Sequence, residues 1–189
     1  MSPSERADAA RNRRAILAAA DELFSRHGVH HVSMNDIATA AGVGKATLFR
    51  RFTDRTGLVQ ALLEPRGTEL RDAIRTGPPP LGPGGTPAER LESFVEALFD
   101  FVWQNRPLIR ALENLRPDAY YTNDVSRIWI DHLTACVAAA APGRDAEYLA
   151  HALLTGLRAD IIEYLVHNRG MTRQRVLDGV LDLTRSSIA

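Results

Sequence analysis

Residues 45–51, Lys-Ala-Thr-Leu-Phe-Arg-Arg, gather one ammonium, one hydroxyl, one aromatic ring and two guanidiniums, and Lys45 is the chain's only lysine. Wound as a helix, this segment turns Leu48 inward and presents Lys45, Ala46, Thr47, Phe49, Arg50 and Arg51 outward. The chemistry of such a face is recognition rather than turnover. Arginine hydrogen-bonds guanine in bidentate fashion, lysine and threonine hold phosphates, and a small side chain such as Ala46 reaches a thymine methyl.

A helix of this length needs neighbours to hold it, and the flanking residues supply them. Ser33-Met-Asn-Asp36 reads as a capping box that opens a short helix through Ile37 and Ala38 to Ala41. Gly42-Val43-Gly44 then breaks the helix, and Lys45 starts the next. Together, residues 34–52 make a helix-turn-helix pattern, with Ala38 as the small residue at the crossing, Gly42 in the turn, and Ile37, Val43 and Leu48 facing the support. The supporting helix precedes them, with Ile16, Leu17, Ala20, Leu23 and Phe24 on one face and Gly28 as its stop. A fourth helix starts at Asp54 and runs through Leu58, Leu62 and Leu70 to about Ile74, with a kink expected at Pro65 next to Gly67.

Further on, the Pro- and Gly-rich stretch 76–87 reads as a linker. It ends in Thr86-Pro-Ala-Glu89, a capping box with proline at the first helical position. The next helix carries Leu91, Phe94, Val95, Leu98, Phe99 and Val102 as a regular apolar stripe, followed by a short segment from Pro107 to Leu115. Another helix holds Val125, Ile128, Trp129, His132, Leu133, Cys136 and Val137 on one face and ends at Pro142-Gly143. The last two span about Ala146 to His167 and from Thr172 onward. No period-2 alternation is sustained, so the expected fold is all-α with about nine helices. Residues 1–55 are expected as a helix-turn-helix DNA-binding domain and 56–189 as a second, helical domain that carries dimerisation. The last two helices are apolar on more than one side, which predicts a dimer through Ile162, Leu165, Val166, Val176, Val180 and Leu183.

Composition narrows the function. The chain has 23 Lys+Arg and 23 Asp+Glu, but residues 1–55 hold nine basic against six acidic residues, leaving 14 against 17 in the remainder. A basic N-terminal part is thus joined to an acidic body. A single cysteine, Cys136, excludes an internal disulfide, and no apolar run reaches the length of a membrane span or a secretory signal, so the cytoplasm is the expected location. His27, His30 and His31 lack a cysteine or a clear carboxylate as a fourth ligand, so neither a metal nor a cofactor is expected. Without a phosphate loop, nucleophile motif or paired carboxylates, an enzyme is unsupported. The competing reading is a helical small-molecule-binding protein or enzyme that keeps the fold without regulating a promoter. The arginines of the N-terminal arm, Arg6 to Arg14, read either as reaching a DNA backbone or as a solvated, disordered tail.

Residues 15–63, with the pattern S-x-x-D-I-A-x-x-A-G-V-x-x-x-T-L-F-x-x-F, resemble the TetR family of one-component bacterial regulators. The resemblance implies a homodimer with N-terminal three-helix DNA-binding domains, a palindromic double-stranded operator, and a helical ligand domain that releases the DNA when a small molecule binds. It places phosphate contacts at Ser33, Thr47 and Arg55, the last usually a lysine. Phe49 stands where the family usually has tyrosine, without that residue's hydroxyl. Repression is the family's common habit; motion of the fourth helix is the expected response to ligand, with Pro65 either localising it or standing as an inert kink. For the pocket, the aromatic and polar residues Phe99, Trp103, Tyr120, Tyr121, Trp129, His132, His151 and Tyr164 are the candidates.

Overall fold

The computed structural model describes residues 3–115 and 124–189. These residues form nine helices and no strand: α1 (Pro3–His27), α2 (Met34–Ala40), α3 (Lys45–Arg51), α4 (Arg55–Thr76), α5 (Pro87–Leu115), α6 (Asp124–Ala140), α7 (Ala146–Gly156), α8 (Ala159–Glu163) and α9 (Arg173–Ile188). Helix α1 starts at Pro3, so Arg6 to Arg14 are helical, which corrects the disordered-tail reading of this arm. The starts of α2, α4, α5, α7 and α9 are capped by the side chains of Ser33, Asp54, Thr86, Asp145 and Thr172. At Thr86 the Oγ accepts from the Glu89 amide at 3.2 Å while Glu89 Oε2 accepts from the Thr86 amide at 2.8 Å.

The helices pack around two cores. In the first, Ile16, Ala20 and Phe24 of α1 meet Ile37, Ala38, Leu48 and Phe52, with Leu58, Val59 and Leu62 of α4 closing the base. Leu108 and Ala111 of α5 also belong to this core, so the body reaches into the N-terminal unit. The second core is built on the stripe Leu91, Phe94, Val95, Leu98, Phe99 and Val102 of α5, packed against α6, α7, α8 and α9 and against Leu70 and Ile74 of α4.

Helix α5 is the spine of the molecule. Its 29 residues span about 43 Å at 1.5 Å per residue, long enough to join both cores. Pro107 was expected near a break, yet the helix runs through it to Leu115. Proline removes the amide that would bond the carbonyl four residues back, that of Trp103. Arg106 Nη1 donates to that carbonyl at 2.7 Å, and its guanidinium lies 3.6 Å above the Trp103 ring. Helix α4 likewise runs uninterrupted across Pro65.

The helix expected over 146–167 is divided. It stops at Gly156, Arg158 is extended (ψ 141°), and α8 begins at Ala159, followed by a π-helical turn at Tyr164–Asn168. Arg158 Nε and Nη2 hold Asp160 at 2.9 and 2.8 Å across the break. The change of direction turns Ile162 into the second core, which one continuous helix face would not do.

Candidate functional site

Two places in this fold can meet a partner: the outer face of α3 and a cavity at the junction of α4, α5, α6 and α7. Helix α3 is held from beneath by Leu48, fully buried, and from behind by Phe52. Gly42 takes φ 64° in the turn, a left-handed conformation that an L side chain rarely adopts, which accounts for glycine there. With Leu48 inward, Lys45, Ala46, Phe49, Arg50 and Arg51 are exposed and Thr47 is half-buried. The Lys45 ammonium lies 6.0 Å from the Phe49 ring centre. Thr47, Arg50 and Arg51 share a groove with Glu5, Asp8 and Asn12 of α1, so the arginines of α3 and the acidic start of α1 border the same space.

Ser33 and Arg55 have other employment than the phosphate contacts implied for them. The Ser33 hydroxyl pairs with Asp36 Oδ2 at 2.7 Å and accepts from the Asp36 amide at 3.1 Å. The Ser33 hydroxyl, then its backbone amide, hold the Asp36 carboxyl below its ordinary range. Arg55 donates to the carbonyls of Val29 (3.0 Å) and Val32 (2.6 Å), turning its guanidinium onto the 3-10 turn between α1 and α2. Both residues thus hold the local shape of the domain. Arg55→Ala strips a charged donor from two carbonyls and is expected to lower N-terminal stability by about 1–3 kcal/mol. Denaturant unfolding checks this; unchanged stability with a shallower salt slope of DNA binding would return Arg55 to phosphate contact.

The cavity has a volume of about 410 Å3. Its wall is Gly57, Gln60, Ala61, Leu63 and Glu64 of α4, Leu98, Phe101, Val102, Ile109, Leu112 and Glu113 of α5, Ser126 and Trp129 of α6, and Leu154 of α7. The α4 wall is next to the N-terminal unit: Glu64 lies 3.6 Å from Arg13 of α1, and Arg66 bonds both Asp21 of α1 and the buried Asn105 of α5.

Of the six ligand candidates among the described residues, Trp129 alone lines this cavity. Phe99 is in the second core, with its ring stacked 5.8 Å from that of Trp103, which lies beneath Arg106. His132 packs edge-on to Phe94 with ring centres 4.6 Å apart, its Nε2 3.6 Å from Cys136 Sγ. Burial, then the Arg90 charge, push its pKa below the ordinary histidine value, favouring a neutral core histidine. His151 and Tyr164 are exposed, away from the cavity wall. Tyr120 and Tyr121 lie outside the described residues. The sequence reading missed Glu113, although a signal existed: it follows Val102 by eleven residues, three helical turns along the same apolar stripe.

The expected dimer surface is also corrected. Ile162, Val176 and Val180 are buried in the chain's own core, and Leu165 and Val166 are half-buried against it. The buried stripe of α9 is Val176, Leu177, Val180, Thr184 and Ser187, and its hydroxyls are satisfied within the helix: Thr184 donates to the Val180 carbonyl at 2.8 Å and Ser187 to the Thr184 carbonyl at 2.7 Å. Leu183 falls beside this stripe and is 52% exposed, with Tyr148 at 70% and Tyr164 at 53% on the neighbouring elements. Among the described residues no cluster of three His, Cys, Asp or Glu forms a metal site, and no helix is long and apolar enough to cross a membrane.

Comparison with known proteins gives this geometry a family. Residues 16–62 match the family model of bacterial regulatory proteins of the tetR family. The chain is 34% identical over 87 residues to the HTH-type transcriptional activator FasR of Mycolicibacterium smegmatis, covering 46% of this chain and 38% of FasR. It is 41% identical over 59 residues to an HTH-type transcriptional regulator of Staphylococcus aureus strain USA300, covering 31% of this chain and 32% of that protein. The chain thus spans about a third of the length of these relatives. The crystal structure of NalD, the secondary repressor of the MexAB-OprM multidrug efflux pump in Pseudomonas aeruginosa, superposes with a TM-score of 0.64 at 23% identity, over 96% of this chain and 98% of that one. These proteins are regulators rather than enzymes. Residues 16–62 thus carry the helix-turn-helix segment of the tetR family in the N-terminal core, and the helical body behind it has the fold of that family's solved structures.

Proposed function

We propose that the chain is a sequence-specific transcriptional regulator that binds a palindromic operator as a homodimer in the cytoplasm and leaves it when a small molecule fills the cavity. In this reading residues 1–55 form the DNA-binding domain. The observation that carries it is the outer face of α3, where Lys45, Ala46, Phe49, Arg50 and Arg51 are exposed around one buried anchor, Leu48. Such a face fits a major groove, with Arg50 and Arg51 toward base edges and Lys45 and Thr47 toward phosphates. A two-fold dimer sets two such helices ~34–36 Å apart, one turn of duplex. The cavity supports ligand control because one of its walls is α4, which is tied to α1 through Glu64 and Arg66. Among the similar proteins are one named an activator and one named a repressor. Release by a ligand favours repression here, since occupancy that strains the α4 wall weakens rather than assembles the DNA-bound spacing.

Selection of bound duplexes from a random pool at near-physiological salt tests the reading. Enrichment of a palindrome bound far more tightly than random DNA is the expected result. Binding that only fades as salt rises, with no enriched site, would sink it. Arg50→Ala is expected to cost about 1–3 kcal/mol on the enriched site and much less on random DNA. Equal losses on both would remove Arg50 from base reading.

A further inference from the structure

The wall of the cavity is largely apolar, and its polar groups are of one kind. Gln60, Glu64, Glu113 and Ser126 supply them, and no lysine, arginine or histidine lines the space among the described residues. Glu113 is the deep one, at 7% exposure. Its Oε2 accepts from Arg110 Nη1 at 2.9 Å, but its buried Oε1 has no hydrogen-bond partner. Arg158 Nη2 stands 3.9 Å from that oxygen, too far for a hydrogen bond. Both arginines are divided: Arg110 Nε also pairs with Glu163 at 3.0 Å, and Arg158 Nη2 with Asp160 at 2.8 Å.

A buried carboxylate oxygen left without a donor is rare in folded proteins and calls for an explanation. Burial above all pushes the Glu113 carboxyl above its ordinary range, Arg110 opposing it through its hydrogen bond and Asp160 adding to it. The chain therefore holds beside this apolar space a carboxylate that its own arginines only partly neutralise. A cation arriving there would favour the charged form. Across the same wall stand two rings, Phe101 and Trp129, with centres 6.2 Å apart and planes inclined at 61°. Aromatic faces attract organic cations and pack against alkyl chains.

We propose that the cavity takes an organic cation with an apolar body and a hydrogen-bond-donating ammonium head, the head seated against Glu113 and the body against Phe101 and Trp129. This narrows the ligand-controlled reading above, on which it rests, to one chemical class. An anionic amphiphile of the same shape is disfavoured by the wall: its carboxylate would meet the buried Glu113, with no cation among the described lining residues to receive it. A neutral alcohol can donate to the free oxygen but leaves the charge uncompensated.

The test uses three probes of equal chain length, decylamine, decanol and decanoate, each below its micellar concentration and titrated into the full-length chain. Calorimetry measures affinity, and in a Trp103→Phe variant the fluorescence of Trp129, then the only tryptophan, reports from the cavity wall. Decylamine is expected to saturate the Trp129 signal and to bind about tenfold or more tighter than decanol, with decanoate weakest. Glu113→Gln keeps the shape and removes the charge, and is expected to abolish the amine's advantage while leaving decanol unchanged. Equal affinities for the three probes, decanoate binding tightest, or an amine preference that survives in folded Glu113→Gln would overturn the head-group assignment and leave the cavity standing as a site. No saturable change with any probe would overturn the ligand-site reading and this inference with it. Should the variant not fold, the ranking of the three probes on the parent chain decides.

Discussion

Leu48→Ala is expected to destabilise the N-terminal unit by about 2–5 kcal/mol and to reduce operator binding to the level of random DNA. Leu48 is fully buried among Ile37, Ala38 and Phe52, and it is the one buried residue of a seven-residue helix. A helix that short has no stability of its own in water, so its place and rotation come from packing. Truncating the anchor removes apolar contact and leaves a cavity, and it also frees the rotation that keeps Arg50 and Arg51 outward. Chemical denaturation and operator titration check both parts. The second core, built on Phe94, Leu98 and Leu133, does not include Leu48, so its unfolding transition is expected to stay in place. A variant that binds its operator as tightly as the parent would refute the anchoring role.

In the proposed dimer, Leu183→Asp is expected to raise the dissociation constant about 30-fold or more, equivalent to ~2 kcal/mol or more, and with it the protein concentration needed to occupy the proposed palindrome. The argument is one of location. Leu183 is 52% exposed beside the buried stripe of α9, and Tyr148 and Tyr164 are exposed on α7 and the π-helical turn that pack against α9. In a self-complementary interface each such residue counts twice, so an added charge is also placed near its own copy. The monomer is expected to keep its melting temperature, because the substituted side chain is not part of either core. Analytical ultracentrifugation across a concentration series reads the result; an unchanged association constant would take Leu183 out of the interface.

The same helix shows where pattern reading stops. Periodicity places the start of α9 at about Thr172, yet it assigns Val176 and Val180 to a partner when they belong to the chain's own core. Thr184 and Ser187, polar in any scale, are buried there because their hydroxyls bond the carbonyls of their own helix. At Pro107 the local rule for helix termination was overruled by one side chain, Arg106, which satisfies the carbonyl that the proline abandons. At residues 146–167 the rule of continuity failed instead, because a straight helix would leave Ile162 without a core to enter.

What the sequence by itself determined is the set of features carried by neighbours along the chain: the all-helical class, the capped starts at Ser33, Asp54, Thr86 and Thr172, the glycine turn, and the face of α3. Each depends on hydrogen bonds or backbone angles that reach no further than four residues, so residue types at fixed spacing suffice to specify them. What only the tertiary structure decided is everything whose partner is distant. Arg55 meets carbonyls 26 and 23 residues away, Asn105 receives Arg66 from 39 residues away, and the cavity wall is drawn from four helices. Whether a carboxylate such as Glu113 is solvated or buried with a bare oxygen is set by what packs over it, and helical period carries no information about that.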